Sequence, residues 1–245
     1  MSGKTYLITG ANRGKCSCHL HQMHLTIQIP GIGRGLFNHY VALPNNTIIA
    51  AVRDPSNSQS LHSLPKGTNT NIHVVKIDSF SKTEPYIAIN TLRSLGISHI
   101  DVVISAVGIA KLNTIEDMPL EEYEEVLMER REAGEVCVYQ CGGGSLSEMQ
   151  KYPYPNASYA SSKALANALV VKMGMENEWL ITLCIHPGLV QTDMGNLGAR
   201  AFGLEEAPLT LEDSSKNTAH IIDDATKEGH SEKFFNETID QIHPW

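Results

Sequence analysis

The sequence lacks the apolar run of about 18 residues or more that a membrane-spanning helix needs. It also lacks a charged-then-apolar leader at its amino terminus. We therefore expect a protein without membrane or secretion signals, located in the cytoplasm. Its five cysteines are an odd number without even spacing, which fits a reducing compartment better than a disulfide framework.

Positive charge is also scarce. Lysine and arginine number 19 against 27 acidic residues, and the formal net charge of −8 disfavours nucleic acid or an anionic membrane as the main partner. No linker, internal repeat or low-complexity tract divides the 245 residues, and 42% hydrophobic residues suffice for one sizeable core. The sequence therefore predicts a single domain over residues 1–245.

Short apolar runs alternate with segments long enough to form helices. The runs are residues 5–8, 48–52, 72–77, 100–104 and 180–185. Parallel strands whose connecting helices cover both faces of the sheet give this alternation. The sequence therefore predicts an α/β fold with a doubly wound parallel sheet.

Tyr159 and Lys163 are the most informative pair of residues. On a helix they lie one turn apart on the same face. A free phenol has a pKa of about 10, and a fixed positive charge nearby favours the phenolate. The spacing therefore predicts a tyrosine that can transfer a proton, although an ordinary surface pair has the same spacing.

The first apolar run leads into Thr9-Gly10-Ala11-Asn12-Arg13-Gly14. A strand followed by glycines is typical of a turn that offers backbone amides and a helix N-terminus to a phosphate. The second run ends at Arg53, a forked cation that suits a ribose 2′-phosphate, as does Arg13. Both arginines favour NADP(H). Asp54 is the opposing detail, because an acid there suits the 2′-hydroxyl of NAD(H).

Together these pieces resemble the short-chain dehydrogenase/reductase superfamily, and within it the fungal ketoreductases of the norsolorinic acid type and related carbonyl reductases. The resemblance covers residues 4–245 and also includes Asp78 and residues 187–194. It implies a Rossmann-like fold and a homodimer or homotetramer. It also implies NADP(H)-dependent reduction of a carbonyl on a hydrophobic or aromatic small molecule to an alcohol.

The resemblance assigns roles residue by residue. In that family the tyrosine is the general acid, the lysine lowers its pKa and holds the nicotinamide ribose, and the Pro-Gly segment covers the nicotinamide. The matching cofactor-binding positions are Gly10, Asn12, Arg13, Gly14, Ile32, Gly33, Arg53, Asp78, Ala106, Gly108, Lys163, Pro187, Gly188, Val190 and Thr192. For Asp78, a capping aspartate after the strand remains an equal interpretation.

Residues 15–31 split the glycine motif, and deleting them restores the family pattern. The segment either bulges out as a loop or displaces the next helix, and we expect it to weaken NADP(H) binding. Codons for Gly-Lys-Cys and for Pro-Gly can place splice signals at its two ends, so our hypothesis is a translated retained intron, with a genuine insertion as the alternative. Its cysteines and histidines at 16–24 match no usual zinc framework, and we expect no metal site.

Two further departures lie nearer the catalytic pair. Ala106 replaces the family's asparagine after the fourth strand, and residues 129–144 replace a long helix and a strand, which predicts a truncated central helix region. Residues 136–139 are still compatible with the fifth strand. The carbonyl-polarising serine position falls on Cys141, whose thiol is a weaker donor than a hydroxyl. Ser145 is a possible substitute, with an ordinary loop serine as the alternative.

These departures leave two other hypotheses open. One is an impaired relative that binds nucleotide or a partner without turnover, and the other is a defective translation product. The loops that would choose the substrate are residues 147–158 and 195–211.

Overall fold

Seven short strands form one sheet in the computed structural model, which describes residues 3–12, 31–78, 80–108, 137–139, 141–151, 155–237 and 241–245. The strands are β1 Thr5–Thr9, β2 Thr47–Val52, β3 Asn71–Lys76, β4 Val102–Ser105, β5 Cys137–Tyr139, β6 Leu183–Ile185 and β7 Lys233–Phe235. Their order is β3-β2-β1-β4-β5-β6-β7, and neighbouring strands pair in parallel. The predicted parallel sheet is therefore confirmed.

Helices connect these strands on both faces of the sheet. They are α1 Ile32–Ala42, α2 Gln59–His62, α3 Glu84–Ser94, α4 Ala157–Glu176, α5 Asp193–Ala201, α6 Leu211–Asp223 and α7 Lys227–His230. Short 3-10 turns occur at Pro55–Asn57, Gly142–Gly144 and Met149–Lys151. Among the described helices, none combines the length and apolarity needed to cross a bilayer.

The alternation of side chains along β1 explains the two layers of helices. Ile8 belongs to a core that includes residues of α1 and α6, whereas Leu7 belongs to a separate core with Ala88 and Leu92 of α3. Successive strand residues point to opposite faces, so a strand that is apolar throughout must be covered on both sides. The single domain is doubly wound for this reason.

Strands β2 and β3 lie on one side of β1, and β4 to β7 lie on the other side. The strand order therefore reverses between β1 and β4, which are hydrogen-bonded neighbours. Loops that follow such a pair diverge and leave a crevice at the carboxyl edge of the sheet. The fifth strand is present as Cys137–Tyr139, between β4 and β6. The predicted truncation of the helix before it lies outside the described residues.

Candidate active site

The predicted catalytic pair, Tyr159 and Lys163, lies on α4, near the helix's amino end. Lys163 is only 4% exposed, and its Nζ lies 5.6 Å from the centroid of the Tyr159 ring. The expected shared face is therefore present. A buried ammonium beside a phenol is the arrangement that favours the phenolate electrostatically.

The loop after β5 packs directly against this pair. A Cβ added to Gly144 would lie 2.5 Å from the Cβ of Lys163, so only glycine allows this approach. Asn167, one turn beyond Lys163 on α4, donates from its side-chain amide to the carbonyl of Gly144 over 3.4 Å. Its spacing of four residues from Lys163 was the available sequence signal, and the sequence analysis missed it.

Cys141 and Ser145 lie at opposite ends of the Gly142–Gly144 turn. Cys141 is a free, partly exposed thiol, whereas Ser145 is fully buried. The Ser145 hydroxyl accepts a hydrogen bond from the backbone N–H of Glu148 over 3.2 Å and lies 3.2 Å from the hydroxyl of Ser147. The contacts of Ser145 therefore serve its own loop, and Cys141 is the more accessible of the two.

The glycine turn brings α1 against the end of β1. A Cβ on Gly33 would lie 2.8 Å from the carbonyl oxygens of both Thr9 and Gly10. Gly10 has a φ of +68°, and a Cβ there would lie 2.8 Å from the carbonyl of Ala106. Helix α1 therefore begins at the expected place, and the alternative in which the insertion displaces it is wrong. Arg13, Gly14 and residues 15–30 lie outside the described residues.

Thr9 joins the ends of β1 and β4, where the family's asparagine is replaced by Ala106. The Thr9 hydroxyl accepts from the N–H of Ala106 over 3.1 Å and donates to the carbonyl of Ile104 over 3.4 Å. This side chain therefore supplies a polar link that an alanine cannot. No motif in the sequence singles out Thr9. Gly108 lies farther along the loop after β4.

On the adenosine side, Arg53 is exposed directly after β2. The carboxylate of Asp54 accepts from the N–H and the hydroxyl of Ser56, over 3.0 and 2.6 Å. These bonds hold the pKa of Asp54 below its usual range. Asp54 is thus occupied in capping the Pro55–Asn57 turn, which argues against its serving a ribose hydroxyl.

Asp78 follows β3 and caps its own turn. Its carboxylate accepts from the N–H of Phe80 over 3.1 Å, and its N–H donates to the carboxylate of Glu84 over 2.7 Å. The capping interpretation of Asp78 is therefore present in the structure. An adenine contact stays a prediction.

The segment after β6 is held over the same edge of the sheet. Gly188 has a φ of +81°, and the carbonyl of Pro187 accepts from the hydroxyl of Ser214 over 2.9 Å. Val190 forms an isolated parallel bridge with Leu209. Thr192 caps α5 through a 3.0 Å hydrogen bond from the N–H of Gly195 to its hydroxyl. These contacts fix the segment predicted to cover the nicotinamide.

Residues 241–245 support the loop after β5 from the other side. The carbonyl of Trp245 accepts from the N–H and the hydroxyl of Ser147, over 2.9 and 2.6 Å. The rings of Trp245 and His243 both pack on Phe234 of β7, with centroid distances of 5.5 and 4.7 Å. The loop that begins with Cys141 is therefore held between α4 and this segment.

Comparison with known proteins finds ketoreductases that are similar to this chain over nearly its whole length. The norsolorinic acid ketoreductase of Dothistroma septosporum is 34% identical over 264 residues, covering 98% of this chain and 92% of that protein. That of Emericella nidulans is 34% identical over 262 residues, covering 98% and 93%. The chain belongs to the short-chain dehydrogenase/reductase family. No protein-family model matches the sequence.

Solved structures of dehydrogenases and reductases share the fold of this family member. An NADPH-bound carbonyl reductase from chicken fatty liver has a TM-score of 0.78 at 23% identity and full coverage of both chains. The carbonyl reductase Sniffer of D. melanogaster has a TM-score of 0.74 at 19% identity, again with full coverage. The alignment of 264 residues to the Dothistroma enzyme exceeds the 245 of this chain, so it contains positions that this chain lacks.

We predict that protonation of His243 lowers the free energy of unfolding of this family member at acidic pH. Burial lowers the pKa of His243 below its ordinary value of 6.5, with Glu148 opposing the shift. As pH falls, the unfolded chain therefore binds this proton before the folded chain does. The contribution of neutral His243 to the free energy of unfolding is complete above pH 6.5 and is lost as pH falls below it. Urea denaturation should give a lower free energy of unfolding at about pH 5 than at about pH 7.5.

The variant His243→Gln should reduce that difference, and His62→Gln, on the exposed end of α2, serves as the control. Burial also lowers the pKa of His39, so part of the dependence should remain. Identical pH dependence in His243→Gln and the unmodified chain would contradict the prediction.

Proposed function

We propose that this family member uses NADPH to reduce a ketone on a hydrophobic or aromatic small molecule. The observation that carries the proposal is the buried Lys163 beside Tyr159, packed against the loop that presents Cys141. The relatives named as norsolorinic acid ketoreductases support a ketone as the substrate class. Family resemblance further supports an assembly of two or four copies, and we propose a cytoplasmic location.

The glycine turn supports binding of the cofactor diphosphate. Gly10 and Gly33 let the backbones of β1, α1 and the loop after β4 pack closely where any Cβ would collide, and Gly31 gives α1 no side-chain cap. Backbone amides at such a helix N-terminus attract an anion. Gly10, Asn12 and Gly33 would hold the diphosphate, and Pro187 to Thr192 would cover the nicotinamide.

The adenosine side supports NADP(H) over NAD(H). Arg53 is exposed after β2, where a forked cation can bind a phosphate, and the Asp54 carboxylate is engaged by Ser56. The NADPH-bound carbonyl reductase from chicken, which has the same fold, is consistent with that preference.

The chemistry of the proposed reaction divides between the cofactor and the chain. When bound, the nicotinamide supplies a hydride to the carbonyl carbon. Tyr159 donates its phenolic proton to the carbonyl oxygen, and the ammonium of Lys163 stabilises the phenolate that remains. Cys141 would donate a weak hydrogen bond to the same oxygen. The alcohol leaves, and the phenolate regains a proton from solvent.

Apolar side chains on the candidate substrate loops support a hydrophobic substrate. Met149, Phe202 and Leu204 are 37%, 44% and 46% exposed. They lie on the two segments that follow β5 and β6 in the chain. Apolar side chains that remain exposed beside an active site are suited to hold an apolar ring system.

The Tyr159→Phe variant should lose turnover but keep its cofactor. Removing the phenolic proton removes general acid catalysis, which is worth about 10²–10⁴-fold in rate. Lys163→Ala should damage both turnover and NADPH binding. NADPH oxidation with a panel of aromatic ketones and quinones measures the rate, with Tyr86→Phe, on the exposed face of α3, as the matched control. Unchanged turnover in Tyr159→Phe would rule out this mechanism.

The Cys141→Ser variant should turn over faster than the unmodified chain. A hydroxyl is a stronger donor than a thiol, and one well-placed donor to a developing oxyanion is worth about 10²–10³-fold, so a gain of about tenfold or more is expected. Ser145→Ala should leave the rate within about twofold. A large loss in Ser145→Ala with no gain in Cys141→Ser would instead identify Ser145 as the donor.

Cofactor binding without turnover is the second candidate function, because family resemblance assigns the polarising position to Cys141, a thiol rather than a hydroxyl. A chain of this kind would bind NADPH in calorimetry yet oxidise none of it with the ketone and quinone panel. Recovery of activity in Cys141→Ser would trace the impairment to the thiol.

Deleting residues 15–31 should tighten NADPH binding. Helix α1 packs on β1 despite the insertion. The expected loss of NADPH affinity therefore comes from the chain between Asn12 and Ile32, which must leave room for the diphosphate. Closing a loop of this length costs on the order of a few kcal/mol. Isothermal titration of both proteins with NADPH measures the difference. Equal affinities would show that the insertion is a tolerated loop.

A further inference from the structure

Arg34 lies in the first turn of α1, directly after the glycine that packs on β1. Its guanidinium makes four hydrogen bonds. Nε donates to the Asn38 side chain over 3.1 Å, Nη1 donates to the Asn12 side chain over 3.4 Å and to the Ser60 hydroxyl over 3.2 Å, and Nη2 donates to the Ser60 carbonyl over 3.3 Å. The side chain is therefore held in one place by three separate parts of the chain.

All four acceptors are neutral oxygens. A guanidinium has five N–H donors and stays charged in proteins, so one donor on Nη2 has no acceptor among the described residues, and these four contacts do not neutralise the charge. In the part of the chain that the structure describes, no carboxylate lies within ion-pair distance of Arg34. Residues 13–30, which join the two halves of the glycine motif, contain no aspartate or glutamate.

Partial burial makes this unneutralised charge costly. Loss of solvent lowers the pKa of Arg34 below its ordinary value. A partly desolvated cation normally has an anionic partner. The surroundings of Arg34 therefore suit an anion from outside the chain.

The position of Arg34 indicates which anion. The Asn12 side chain, which accepts from Arg34, donates to the carbonyl of Asn57 over 2.8 Å and to the hydroxyl of Ser58 over 3.1 Å. These bonds join the glycine turn to the loop that follows Arg53 at the end of β2. In a dinucleotide-binding sheet, the ribose 2′ substituent of the adenosine lies between these two elements.

We propose that Arg34 is a specificity-determining residue that binds the 2′-phosphate of NADP(H) together with Arg53. This inference rests on the proposed function and adds a cation from α1 to the one after β2. Asn12, Asn38 and Ser60 hold the guanidinium in place before the cofactor arrives, so little side-chain entropy is lost on binding. The leftover Nη2 donor supplies the charge-assisted hydrogen bond to a phosphate oxygen.

The test compares NADPH and NADH affinities in Arg34→Gln, Arg34→Lys and Arg53→Ala by isothermal titration. Arg34→Gln keeps a polar side chain but removes the charge, and its Kd for NADPH should rise about tenfold or more, the loss expected for a hydrogen bond to a charged group. Its Kd for NADH should stay within about twofold. Arg34→Lys should keep part of the NADPH preference, because it keeps the charge without the fork. Arg93→Gln, exposed in the last turn of α3, is the charge-matched control.

Titration with 2′,5′-ADP and with 5′-AMP isolates the phosphate from the nicotinamide half of the cofactor. Arg34→Gln should weaken only 2′,5′-ADP. Equal losses for both cofactors would show that Arg34 merely holds the turn together, and that result would overturn the inference while leaving the proposed function intact. An unchanged NADPH preference in Arg34→Gln would overturn it as well. If the unmodified chain binds both cofactors equally, the proposed NADP(H) preference itself fails and this inference falls with it.

Discussion

The close approach of helix α1 to the end of β1 is the constraint on which the candidate site depends. Gly33 lies against the carbonyls of Thr9 and Gly10, where a Cβ would come within 2.8 Å of both. This contact sets where α1 begins, which amides face the crevice and where Arg34 is placed. The long insertion before α1 does not alter it, because the packing is local to residues on either side.

A second close approach orders the half of the candidate site that contains Tyr159 and Lys163. Gly144 packs on Lys163, and the Asn167 amide reaches the Gly144 carbonyl. The same loop is bound from the other side by Trp245 through Ser147. Cys141 is therefore presented by a loop with two supports. A thiol at this position is a weaker donor than a hydroxyl.

Local patterns were sufficient for much of the fold and part of the site. The apolar runs predicted the strands to within a few residues, because a strand buried on both faces must be apolar throughout. The four-residue spacing of Tyr159 and Lys163 predicted their shared face, because helix geometry depends only on sequence separation. The fifth strand was left open, since Cys137–Tyr139 is short and gains its pairing only from β4 and β6.

By itself, the sequence determined the sheet, the shared face of Tyr159 and Lys163 and the cation after β2, because periodicity and spacing act within a few residues. Only the tertiary structure decided between uses of the same side chain. It assigned Asp54 to a turn, buried Ser145, gave Thr9 the link between β1 and β4, and brought Arg34 beside Asn12 and Ser60. The partners of Thr9 and Arg34 are far apart in the chain, and they meet because parallel strands end at one edge of the sheet.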